Sequence, residues 1–445
     1  MENAVRDWRG RSYLPGPVPA DRKRMFWLAW AAMAAISPLQ YGYAALLAQK
    51  GTGLTLLAVW IACQAAGALP ALHLVRRGRL SVRASLALGA ALSGLGLVTA
   101  ALTSGAVLAA AGQAPLATAG QAALASGGPV SLVALIGYGL LGGLGAGLVY
   151  GVCGEVVSSW FPERPAARVG LITGAFGYGA VPLLVWAGIA PDATPAAFLT
   201  AAAVAVAVIG TAARHLRLPP VLWWPDDVDP RTYALDAARL RVTPEAAKQF
   251  LLTQALRTRT LPALALILTC AGAVSVFDVI VVAGTGTWGA VALMVALNGA
   301  SRAVAMRCSE LFGRRRVLAA VLGALAAGQV LLAAGGAHMG GFPGPADVSA
   351  PLLWLGALAA GLGGGAFYPL LASLVREFFG TERAGEIHAV IYSAKALAGA
   401  GAVALAVTAL TAPGAALLAA AAVAALPALA ASRLRLPGLP ATIPL

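Results

Sequence analysis

The chain has 445 residues, 60% of them hydrophobic and 11% charged, with a mean hydropathy of +0.82 and a formal net charge of +14. That balance excludes a soluble globular domain and places the chain among polytopic membrane proteins. Its basic residues sit in short clusters between apolar runs, with no basic domain or base-reading motif, which argues against nucleic acid as a partner.

The tail, 1–24, carries Arg6, Arg9, Arg11, Arg22, Lys23 and Arg24 ahead of an apolar run too long for a signal-peptide core, so no cleavable signal is expected. Stretches able to cross ~30 Å of hydrocarbon follow at 25–48, 53–75, 82–104, 130–152, 168–190 and 194–213. Six more follow at 261–283, 286–306, 316–335, 351–373, 386–408 and 413–432. The Ala-rich region 101–129 has the composition for a short extra hairpin. The charged segment 214–259 contains PPVLWWPDDVDP, and Thr243-Pro244 then offers N-cap and N1 residues for a short surface helix. The expected architecture is an all-α membrane bundle of twelve transmembrane helices in two pseudo-symmetric halves. Its parts are tail 1–24, half 25–213, linker 214–259, half 260–433 and tail 434–445.

Charge sets the orientation. Of the 31 Lys and Arg, only Lys50 falls in an outside loop, and only Arg302 and Lys395 fall within spans. The rest fall on one side, which the positive-inside rule makes cytoplasmic, with both termini there. The expected location is the cell (plasma) membrane, with the lipid bilayer as solvent.

An internal repeat supports the division. Gly145-Ala-Gly-Leu-Val-Tyr150, Trp160-Phe161 and Glu163-Arg164 recur as Gly363-Gly-Gly-Ala-Phe-Tyr368, Phe378-Phe379 and Glu382-Arg383, offset by 218 residues. Repeats of this kind are the logic of secondary transporters, whose sites lie between the halves. Gly137-Tyr-Gly139-Leu-Leu-Gly142 matches a dinucleotide fingerprint but lacks its strand–turn–helix context. Gly139, Gly143 and Gly147 instead read as a ridge for close helix packing. Cys63, Cys153, Cys270 and Cys308 are isolated, so neither a metal site nor a disulfide framework is expected. No HExxH or GxSxG motif marks an enzyme, and no cofactor is expected.

Lys395 is the sharpest feature. An ammonium inside an apolar span costs several kcal/mol unless it meets a partner, a wet cavity or a substrate. With ~1.5 Å rise per residue it falls near the midplane, and His388, Tyr392, Lys395 and Gly399 share one helix face. Arg302 lies nearer the end of its span, so snorkelling to lipid headgroups and substrate contact both stand. Asn298, four residues earlier, could orient it or bond between helices. Asp278 is the one acid deep in an apolar run, open to proton coupling, to pairing with a base or to an interfacial role. His388 reads as a helix-start residue or a gate.

Two stretches carry a family resemblance. GYGLLGGLGAGLVYGVCGEVVSSWFPERPAARVGLITGAFGYGA (Gly137–Ala180) and FFGTERAGEIHAVIYSAKALAGAGA (Phe378–Ala402) resemble the oxalate:formate antiporter family of the major facilitator superfamily, with NGASRAVAMRCSELFGRRR (Asn298–Arg316) like its helix-eight-to-nine junction. The resemblance implies that Lys395 and Arg302 face a central cavity. It places Tyr43, Tyr150, Phe176, Tyr368, Tyr392 and Gln64 around the substrate. It also makes Glu310 and Arg314, beside Gly313, gate candidates. The chain departs from the family at Val75, which replaces a loop acid, and around Ile36, where a cavity aromatic is expected.

The function so implied is a secondary transporter exchanging small organic anions, oxalate- or formate-like carboxylates, by alternating access. It needs no obligate protein partner. The alternative on the same fold is a proton-coupled monocarboxylate symporter using Asp278 or His388. A non-transporting anion receptor signalling through the linker is the rival from another class.

Overall fold

Inside hydrocarbon a helix satisfies its own backbone polar groups, which is why the apolar runs fold as helices. The computed structural model describes residues 4–7, 12–50, 53–75, 78–111, 132–239, 246, 248–337 and 349–438. Among these, eleven helices are long and apolar enough to cross a membrane. In the first half they are α2 (Leu54–Val75), α3 (Val82–Ser104), α4 (Ala134–Trp160), α5 (Ala167–Ile189) and α6 (Pro191–His215). In the second half they are α7 (Thr260–Gly284), α8 (Trp288–Phe312), α9 (Arg314–Ala334), α10 (Ala350–Phe379), α11 (Ala384–Thr411) and α12 (Pro413–Ser432).

The first segment, α1, is broken into Arg22–Ala35, a π turn at Pro38–Gly42, and Tyr43–Lys50. Pro38 has no N–H to donate and its ring crowds the preceding turn, so the regular ladder cannot continue there. With α1 the described residues make the twelve segments read from hydropathy. Most of the candidate hairpin in 101–129, together with Thr243 and Pro244, lies outside the described residues. Among the described residues of the predicted linker helix, Leu252–Leu256 is the helical part.

The halves are built alike. In the first, α3 packs on α6 and α2 on α4; in the second, α9 packs on α12 and α8 on α10. They meet along three seams: α2 against α11, α5 against α8, and the end of α1 against α7. Leu102, Leu132, Leu397, Leu426 and Leu429 point outward, as a multi-pass membrane protein requires of its lipid-facing side.

The repeat is visible in backbone contacts. A methyl on Gly145 would lie 2.6 Å from Ser93 N of α3, and one on Gly363 would lie 2.7 Å from Leu325 Cα of α9. A methyl on Gly147 would meet the Gln64 carbonyl oxygen of α2, and one on Gly365 the Asn298 carbonyl oxygen of α8. These glycines let α4 and α10 touch their neighbours' backbones, and the touching points bring Gln64 and Asn298 into equivalent places. Gly139 and Gly143 face Val59 and Trp60 of α2, completing the ridge. Gly147→Ala and Gly365→Ala should each cost about 1–3 kcal/mol through overpacking. Gly154→Ala, with open space around it, should be near neutral. Thermal midpoints in detergent separate the two cases, and equal midpoints for all three would contradict this packing.

At the end carrying the linker, charged and aromatic groups tie the chain down. Arg22 pairs with Glu163 at 2.6 Å, donates to the Trp160 carbonyl and lies 4.1 Å from the Phe161 ring centroid. Strands β1 (Val5–Arg6), β2 (Ser12–Gly16) and β3 (Trp223–Pro225) join the tail to the linker. The first pair is antiparallel and the second parallel, with Leu14 opposite Trp223. Trp223 packs on Trp160, so this part of the linker is held by the first half. Its last part is held by the second half: Phe250 N donates to Phe379 O, and Gln249 Oε1 accepts from Thr381 N and Glu382 N. Between them Asp229 caps the helix Pro230–Arg239. The Thr232 hydroxyl and the Arg231 N–H hold its carboxyl below the usual carboxylate range.

Candidate site between the halves

α11 breaks at Ala394, whose carbonyl accepts from Leu397 N and Ala398 N and, at 3.4 Å, from Thr269 Oγ1 of α7, and Lys395 opens the second part. Its side chain crosses the α2–α11 seam into the first half. There Nζ donates to Gln64 Oε1 of α2 and, at 3.3 Å, to Gln40 Oε1 in the π turn of α1. Lys395 is 3% exposed. Arg302 on α8 is 1% exposed and crosses the other seam. One guanidinium nitrogen donates to the Thr173 carbonyl of α5 at 2.8 Å. The other donates to Asn298 Oδ1 at 2.9 Å and to Tyr41 OH at 3.4 Å. Each cation therefore belongs to the second half and is held partly by oxygens of the first.

Aromatic rings fill the space around them. Lys395 Nζ lies 5.6 Å from the Phe176 centroid and 5.5 Å from that of Tyr368. Arg302 Cζ lies 5.9 Å and 5.3 Å from the same two. Both cations thus flank one pair of rings, where the ring quadrupole favours positive charge. Tyr392, 5.6 Å from Nζ, stacks on Tyr150 at 5.3 Å, and Tyr150 meets Phe176 edge-on. The repeat's two tyrosines, Tyr150 and Tyr368, stand in the same cage.

The hydrogen-bond balance is one-sided. Every oxygen holding the two cations is neutral, and no described carboxylate pairs with either. Arg302 Nε, Gln64 Nε2 and the Tyr392 hydroxyl are buried without partners among the described residues. The first two can only donate, and a hydroxyl can donate as well. Two cationic side chains and three unmatched donor groups stand together in one buried cage.

The structure thus brings together Lys395, Arg302, Tyr392, Tyr368, Gln64, Tyr150 and Phe176. Tyr43 is not among them. Its hydroxyl is 2.9 Å from Thr103 Oγ1 and its ring packs on Tyr138 and Phe198 inside the first half. Tyr41 takes the expected place, bonded to Arg302 and Asn298 and packed on Phe176. Residues two apart point to nearly opposite faces of a helix, and the π turn at Pro38–Gly42 decides which of the two faces inward. Gln40 and the Thr173 carbonyl also escaped sequence reasoning. An amide next to Pro38 in an otherwise apolar span was the available signal for Gln40; a backbone acceptor leaves none. Tyr41→Phe should weaken anion binding about tenfold through loss of one bond to a charged group, while Tyr43→Phe leaves affinity unchanged. Titration of both variants by anion-linked thermal shift checks this, and the reverse ranking would overturn the placement.

The remaining candidates lie elsewhere. His388 is half-buried, 5.9 Å from the Tyr392 ring and one turn nearer the linker end. Glu310 is exposed and pairs with Arg307 on its own helix, not with Arg314. Arg314 instead pairs with Glu377 of α10 at 3.0 Å, and Arg315 joins the same carboxylate at 3.6 Å. Glu377, missed in the sequence, is the buried acid that ties α9 to α10 at the linker end. Asp278 is buried against Gln329 of α9, away from both cations' partners. The four cysteines are free, and no described cluster of His, Cys, Asp or Glu could hold a metal ion.

No protein-family model matches the sequence, and no curated protein sequence matches it. Solved structures do. The chain is similar to a mutant of the nucleoside transporter NupG, with a TM-score of 0.60 at 11% identity over 93% of this chain and 99% of that one. It is similar to a POT family transporter in complex with 5-aminolevulinic acid, with a TM-score of 0.62 at 14% identity over 92% and 95%. It is similar to the transporter FucP in the outward conformation, with a TM-score of 0.56 at 14% identity over 92% and 98%. Helix count, paired halves and whole-length similarity agree, and this multi-pass membrane chain has the major facilitator fold.

Proposed function

We propose that the chain is a secondary carrier that exchanges small organic anions, oxalate- and formate-like carboxylates, by alternating access across the cell membrane. The observation that carries the reading is the pair of buried cations, Lys395 and Arg302, held among the described residues by neutral oxygens. Their positions on opposite seams suit a ligand with an anionic group at each end. Arg offers a planar fork to one carboxylate and Lys a compact charge to the other. The structures of similar fold, a nucleoside transporter and a POT family transporter among them, support transport in general. The choice of anion rests on the cage.

Closing two seams around an empty cage brings two unneutralised charges out of water. A bound dianion removes that penalty, so occupied carriers close and reopen more readily than empty ones. Exchange follows as the favoured mode, with net efflux slow. Purified protein in vesicles loaded with unlabelled oxalate should accumulate external labelled oxalate, and empty vesicles should not. Equal uptake by both would sink the exchange reading, and no uptake by either would sink the anion reading.

A further inference from the structure

A second polar pair lies within the second half. Asp278 on α7 is 1% exposed and Gln329 on α9 is fully buried. Gln329 Nε2 donates to Asp278 Oδ1. Two atoms remain, Asp278 Oδ2 and Gln329 Oε1, each buried and without a partner among the described residues. Both are oxygens. An ionised Asp278 would leave a bare charge and two unpartnered acceptors in an apolar interior, at a cost of several kcal/mol.

The ionisable groups with described side chains on helix segments packed against α7 are Tyr43 in the Tyr43–Lys50 part of α1, Arg302, Arg307, Cys308 and Glu310 on α8, and Arg314–Arg316 on α9. Tyr368, Arg376 and Glu377 on α10 and Glu386, His388, Tyr392 and Lys395 on α11 complete the described set. The cations among them that reach inward, Arg302, Arg314 and Lys395, are committed to other partners. The Asp278 carboxyl is left with the Gln329 amide.

One proton resolves both orphaned oxygens. An O–H on Oδ2 donates to Gln329 Oε1 while the carboxamide N–H donates to Oδ1. The two groups then close a neutral acid–amide ring in which each supplies one donor and one acceptor. We infer that Asp278 and Gln329 form a proton-binding site whose aspartic acid is neutral at neutral pH in this conformation. A conformation that lets water between α7 and α9 breaks the O–H bond, passes the proton to water and leaves the carboxylate hydrated.

The site can report to the cage. Ser275, one helical turn before Asp278, donates to the Gly364 carbonyl at 2.7 Å and accepts from Asn298 Nδ2 at 3.4 Å. Asn298 in turn holds Arg302. The inference stands whichever anion fills the cage, since it rests on the ring alone.

The test is the infrared spectrum of the purified full chain grown with carboxyl-labelled aspartate. At neutral pH it should contain a carbonyl band of a protonated aspartic acid, shifted by the label. Asp278 is the one aspartate deep in an apolar span, so the other aspartates contribute none. The band should vanish in Asp278→Asn and move toward that of an unbonded acid in Gln329→Leu. A wild-type spectrum without the band shows an ionised carboxylate and overturns the inference, whether or not either variant folds. A band unchanged by Asp278→Asn, or unmoved by Gln329→Leu, overturns it equally.

Discussion

Lys395→Gln is expected to abolish anion exchange while raising the thermal stability of the unliganded protein. The two effects have one cause. Among the described residues, the Gln64 and Gln40 oxygens alone receive the charge of buried Lys395, and a lysine at such depth costs roughly 2.5–3.5 kcal/mol on insertion scales. Glutamine keeps polar reach without the charge, so the empty fold should gain about 1–3 kcal/mol. The same change removes one of two charges a dicarboxylate needs. Exchange should fall to the rate of protein-free vesicles, and oxalate should no longer raise the thermal midpoint. A lysine retained for packing alone would behave in the opposite way, with lower stability and preserved exchange. Either of those results contradicts the assignment.

Gln64→Glu carries the argument from the other side. Gln64 Oε1 already accepts from Lys395 Nζ, so a glutamate there becomes a fixed counter-ion at that distance. A charge-assisted pair is roughly twice as strong as a neutral hydrogen bond. It competes directly with the substrate carboxylate, and truncation of buried charge pairs costs about 2–5 kcal/mol. Anion affinity should drop about a hundredfold or more, while the unliganded protein becomes more stable. Isothermal titration with oxalate reads the affinity, and binding as tight as wild type would place the anion away from Lys395.

Much of this was legible in the sequence because charge in an apolar run has so few explanations. Lys395 and Arg302 stood out on that ground alone, and the repeat singled out Tyr150 and Tyr368 as a pair. The glycine ridge at Gly139, Gly143 and Gly147 was readable for a similar reason, since small residues at helical spacing mark a close backbone approach. What was not legible depends on helix phase and on partners across helices. Tyr43 was expected on the family resemblance alone; Tyr41 stands in the cage instead because the π turn at Pro38–Gly42 sets the face of α1, and a resemblance of motifs does not fix that phase. Glu310 sits beside Arg314 in sequence, yet Arg314 reaches Glu377, sixty-three positions away on α10. Asp278 was visible as an isolated acid; that its partner is the neutral Gln329, and not a base, follows only from how α7 and α9 pack.

The central claim is that the cage is built for small anions with charge at both ends. It is tested most directly by thermal unfolding of the wild-type protein titrated with oxalate, with formate and with oxamide, the neutral diamide of oxalate's shape. Ligand that binds only the folded state stabilises it as RT ln(1 + [L]/Kd). Oxalate should give the largest concentration-dependent rise in midpoint, formate a smaller one and oxamide none. Equal shifts for all three, or no shift with oxalate at saturating concentration, would contradict the account.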